Sequence, residues 1–77
     1  MAASSSVPAV SRALDLLRLL GSRATPVPAA AVARELGLPR STAYHLLAVL
    51  EREGFVVHLP EAHAYGLGVA VFELGSA

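Results

Sequence analysis

Apolar positions along this chain recur at helical spacing in three stretches and at strand-like spacing in two. From about Pro8 to Leu20, Val10, Ala13, Leu14 and Leu17 fall at i, i+3, i+4 and i+7, the core face of a first helix. Pro8 sits in its first turn and Gly21 just past its end. Leu16 and Leu19 lie off that stripe. Two readings fit them: a helix packed on two sides, or a helix whose extra leucines meet a partner chain. Gly21 to Val27 reads as a loop with a short strand before Pro28. Pro28 opens a second helix to about Leu36, with Ala29, Val32, Ala33 and Leu36 inward and Arg34 and Glu35 outward. A third runs from about Arg40 to Glu53. Its inner face is Ala43, Leu46, Leu47 and Leu50; Ser41, His45, Ala48 and Arg52 point the opposite way, flanked by Thr42 and Tyr44.

Gly37 can take the positive φ that ends the second helix, and Pro39 cannot continue it but can open the third. A short helix, a glycine turn and a second helix with a polar free face make a helix-turn-helix pattern. Gly54 then ends the third helix. Phe55–Leu59 and Ala64–Leu67 read as strands around a turn at Pro60–His63, which is a wing. The expected fold is mainly α with a small β-hairpin: a winged helix-turn-helix of three core helices plus the wing. Residues 1–7 are expected to be a disordered tail and 8–67 the domain, with a further helix begun in 68–77. In that last stretch Val69, Ala70, Val71, Phe72 and Leu74 suit a helix that stops before it could bury its apolar face.

Seventy-seven residues suffice for one small domain, and dimerisation is a common support for a core of that size. With no cysteine, disulfides and thiolate metal sites are excluded. No apolar run approaches the roughly 20 residues of a membrane span. Met1 to Ser6 lacks the basic and apolar regions of a signal peptide, so a cytoplasmic protein is expected. Six arginines balance six acids, with no lysine, which counts against nucleic-acid binding unless the cations are well placed. His45, His58 and His63 match no zinc spacing, and no nucleophile–base constellation or phosphate loop is present. Neither an enzyme nor a cofactor or metal is expected.

The free face of the third helix carries the candidate chemistry. Ser41 and Thr42 lie near its N-terminus, where backbone N–H groups and the helix dipole favour phosphate. Arg40 can neutralise phosphate or reach guanine, and Tyr44 and His45 stand one turn on, at the level of a groove floor. The plainer reading makes Ser41 and Thr42 helix caps and packs Tyr44 on the wing. His58, on the wing, and His45 gain affinity for phosphate when protonated. A second functional reading is a winged-helix module that pairs with protein. Zero net charge and the spare apolar residues Leu16, Leu19, Val69 and Phe72 favour it, and the same residues are the candidate dimer interface.

Four segments in order resemble the N-terminal DNA-binding domain of IclR-type bacterial transcriptional regulators: Val10-Ser11-Arg12-Ala13-Leu14, Leu36 to Ala43, Leu50 to Val56, and Tyr65-Gly66-Leu67-Gly68. The resemblance covers about Val7 to Gly75. It implies a winged helix-turn-helix, dimeric on a roughly palindromic operator, followed by a linker helix, of which 68–77 would be the start, and a larger effector-binding domain absent from this chain. Relative to the family pattern, position 45 holds histidine in place of the usual arginine, and the wing has neither arginine nor lysine. The glycine of the wing turn is replaced by His63, which is expected to take a positive φ. Fewer phosphate contacts imply binding weaker than that of a basic relative by orders of magnitude.

Overall fold

In a computed structural model, residues 6–76 are described. The expected disordered tail therefore lies, for residues 1–5, outside the described residues, as does Ala77 at the end of the linker stretch. Val7 already belongs to the fold, because its carbonyl accepts from Val10 N–H and Ser11 N–H at 3.0 and 3.1 Å. The elements follow in the order α1 (Pro8–Gly21), β1 (Val27–Pro28), α2 (Ala29–Leu36), α3 (Arg40–Arg52), β2 (Val56–Leu59), a 3₁₀ turn (Pro60–Ala62), β3 (Ala64–Leu67) and α4 (Val69–Gly75). The mainly helical winged fold is as expected. The sheet has three antiparallel strands in the order β1-β3-β2, because the short strand before α2 also pairs with the hairpin, Val27 opposite Tyr65.

Each helix junction is set by local chemistry. At the end of α2, Gly37 takes φ 66°, ψ 35°. That left-handed turn lets Leu38 N–H reach Ala33 C=O at 2.9 Å and Gly37 N–H reach Arg34 C=O at 3.3 Å, so the last carbonyls of the helix are satisfied. Gly54, at φ 85°, repeats the device after α3: Phe55 N–H bonds Leu50 C=O at 2.9 Å and Gly54 N–H bonds Glu51 C=O at 3.0 Å. His63 adopts φ 50°, ψ 42° at the wing turn, the uncommon state expected of it.

The core gathers Leu16 and Leu20 of α1, Ala29, Val32 and Ala33 of α2, Ala43 and Leu47 of α3, and Val27, Val56 and Tyr65 of the sheet. The inward faces of α2 and α3 are those the periodicity predicts. That of α1 is not. Leu16 is 0 % exposed, whereas Val10 and Leu14 are 54 % and 47 % exposed. The expectation that Leu16 is free to meet a partner is thereby corrected, and the Val10–Leu14 face is not core. The reason is a second stripe at the same spacing: Ala13, Leu16, Leu17 and Leu20 also fall at i, i+3, i+4 and i+7. Packing against α2 and β3 selects that one. Leu19 is half-buried and packs against the core as well, so it too faces inward more than outward.

Candidate nucleic-acid interface

Pro39 occupies the cap position of α3 at φ −58°, ψ 147°, and no side chain caps the helix. The first amide of the helix with a backbone partner is Ala43 N–H, to Pro39 C=O at 3.1 Å. Ser41 and Thr42 therefore do not act as caps, contrary to the plainer reading. Among the described residues their hydroxyls make no hydrogen bond within the chain. Three first-turn amides are left at the positive end of a 13-residue helix, beside Arg40 and two hydroxyls. This is donor chemistry suited to a phosphate.

Burial along α3 defines its three sides. Ala43 and Leu47 are buried, with Leu46 and Leu50 half-buried beside them. At 100° per residue, Ser41, His45, Ala48 and Arg52 stand opposite, and all four are exposed. On one flank lie Tyr44 and Glu51, towards the wing. Burial pushes the phenol of Tyr65 on β3 up from its ordinary pKa, with Glu51 and then Tyr44 adding to the effect. Tyr44 nevertheless keeps 47 % of its surface exposed. On the other flank Val49 turns towards α1.

The wing carries no compensating charge. His58 lies opposite Tyr65 in the β2–β3 register, and the two rings stack at 4.6 Å with an interplanar angle of 19°. One face of the imidazole is thus occupied within the hairpin. Arg40, Ser41, Tyr44 and His45 are all exposed on α3, Arg40 and Ser41 in its first turn and the other two a turn on, with Thr42 half-buried. His58 belongs to a separate element.

Arginine pairing decides which cations are available. Arg18 pairs with Asp15 at 3.5 Å and Arg52 with Glu53 at 3.8 Å. Arg23, in the loop after α1, hydrogen-bonds Glu35 on α2. That guanidinium, chiefly through the hydrogen bond, holds the Glu35 carboxyl below its usual range. Among the described residues Arg12, Arg34 and Arg40 form no ion pair. Sequence reading singled out Arg40 alone of these three. The Arg18–Asp15 spacing could have been read in advance, but a pair twelve residues apart across a loop could not.

Beside the polar strip, α1 and α3 leave an apolar groove of ≈460 Å³ between Val10, Leu14 and Leu17 on one wall and Leu46, Val49 and Leu50 on the other, with Phe55 at its end. Next to Phe55 begins α4. Gly68 N–H bonds Phe55 C=O at 2.8 Å and Ala70 N–H bonds Gly54 C=O at 3.0 Å. On α4 the side chains of Val69 and Phe72 are 67 % and 63 % exposed.

The helix-turn-helix geometry has close counterparts. Residues 9–60 match the family model of the IclR helix-turn-helix domain. The chain is 48 % identical over 56 residues to the transcriptional regulator RhmR of Escherichia coli, covering 73 % of this chain and 21 % of RhmR. It is 38 % identical over 65 residues to the regulator TtgV of Pseudomonas putida, covering 84 % and 25 %. Among solved structures, an IclR transcriptional regulator from Alicyclobacillus acidocaldarius superposes with a TM-score of 0.87 at 34 % identity, over 94 % of this chain and 29 % of that one. The chain thus spans about a quarter of the length of the regulators it matches. These relatives are transcriptional regulators, not enzymes. With the family model matched across α1, the helix-turn-helix and the first wing strand, this chain belongs to the IclR helix-turn-helix family of DNA-binding domains.

Proposed function

We propose that the chain reads operator DNA for a bacterial transcriptional regulator, with two copies on the two halves of a roughly palindromic site. The observation that carries this reading is the uncapped first turn of α3, which sets free amides, two hydroxyls and the unpaired Arg40 at the head of an exposed polar strip. In this arrangement α3 enters the major groove. Arg40, Ser41 and the first-turn amides hold backbone phosphates, and Tyr44 and His45 face base edges. The hairpin lies along the backbone without supplying a formal positive charge.

The second copy is the natural cover for two surfaces that one chain leaves open: the groove between α1 and α3, and the apolar sides of α4. They adjoin at Phe55, so a two-fold axis beside that residue lets each copy's α4 meet the other's groove. Response to an effector would reside in the parts of the relatives that this chain does not span. The site of action is the cytoplasm, where the DNA of a bacterium lies. A salt titration on duplexes selected from random DNA tests the function. Affinity must fall steeply as salt rises; a shallow dependence would indicate a protein-binding module instead.

A further inference from the structure

We propose that Ala48 is a specificity-determining residue, reading the C5-methyl group of one thymine in each operator half-site. The inference rests on the DNA-reading function above and names a base feature within it. Ser41, His45, Ala48 and Arg52 form the outermost line of α3, opposite the buried Ala43 and Leu47. Three of the four present polar atoms. Ala48 presents a methyl group alone, at the centre of the surface that would face the groove floor. It is exposed, so it contributes to neither the core nor the apolar groove, whose wall on this helix is Leu46, Val49 and Leu50. In the major groove a base pair offers donors and acceptors, which a methyl group cannot answer, and one apolar feature, the thymine methyl, which it can. Its short side chain also lets the helix backbone come close to the base edges. Along the helix axis Ala48 lies about 4.5 Å beyond His45. The thymine should therefore fall within one or two base pairs of the base that His45 faces.

The test uses this chain and duplexes enriched by it from random DNA, with each thymine of the half-site replaced in turn by uracil, which removes only the methyl. Burial of one methyl pair corresponds to about fourfold in affinity per half-site, or about fifteenfold when both half-sites are changed. One thymine per half-site should show this loss with the wild-type chain. In Ala48→Gly the loss should vanish, so that thymine and uracil duplexes bind this variant alike, while an unchanged helical circular dichroism spectrum reports that it is folded. Since glycine weakens an exposed helix, Ala48→Ser is measured in parallel and should shrink the same penalty. If uracil is tolerated at every position, or if both variants keep the full penalty, the assignment is overturned while the DNA-reading function stands. If no sequence is enriched at all, both are overturned.

Discussion

At the scale of single residues, the proposed reading gives Arg40 and its neighbours on α3 separable roles. Arg40 is unpaired and stands at the helix start, so Arg40→Ala should weaken binding to all sequences alike. It should also reduce the salt slope by about one unit per copy. His45→Ala or Tyr44→Ala should instead change which sequence is preferred, with a base discrimination of about 1–3 kcal/mol lost at one position. Anisotropy titrations on a panel of single-base operator variants separate the two patterns. A different residue pair contributes to acid stability. Glu35 is held below the ordinary glutamate value by Arg23, first through the hydrogen bond and then through its charge. Its contribution is therefore fully present above about pH 4.5 and is lost as pH falls through the lower folded value. Glu35→Gln should flatten the acid limb of the stability–pH profile and leave the region near pH 7 little changed. Denaturant midpoints measured from pH 7 to 3 check this.

Among the elements, α3 was legible from sequence because two independent signals agree: one apolar stripe, and Pro39 and Gly54 as punctuation. For α1 the pattern underdetermined the answer. Leu14, Leu16, Leu17, Leu19 and Leu20 crowd so closely that two stripes have the same period, and only contact with α2 and the sheet separates them. A tertiary partner likewise decides the His58–Tyr65 stack, where residue type alone argued for a DNA contact; for Ser41 and Thr42 residue type fitted both a phosphate contact and a cap, and no cap forms. The joint between the wing and α4 has a sharper constraint. A Cβ on Gly68 would collide with the Gly54 carbonyl and come within 2.9 Å of Val56 N, both backbone and unable to give way. Gly68→Ala should therefore destabilise the domain by about 1–3 kcal/mol, as overpacking does. It should also release α4 from its two hydrogen bonds to the α3–β2 turn. Thermal melts and amide exchange at Gly68 and Ala70 measure the two effects.

For the whole molecule, zero net charge and a wing without arginine or lysine leave, among the described residues, three arginines per copy outside any ion pair, of which the proposed reading sets Arg40 against DNA. Were all six in a pair of copies to contact phosphate, the salt slope would reach about −5, with no further help from the hairpin. A grip this limited gains most from joining two copies, because each half-site then reinforces the other through a high effective concentration. The apolar surface available for that joining is the groove at Val10, Leu14 and Val49 together with Val69 and Phe72 of α4. None of these residues is in the core, so a charge placed there should spare the fold and remove the association. Leu14→Glu and Phe72→Glu should each leave the helical circular dichroism spectrum intact while shifting sedimentation towards the single chain. Binding to a full operator should fall to the level seen on one half-site. A variant that remains associated, or that dissociates without losing its advantage on the full operator, would place the contact between copies elsewhere.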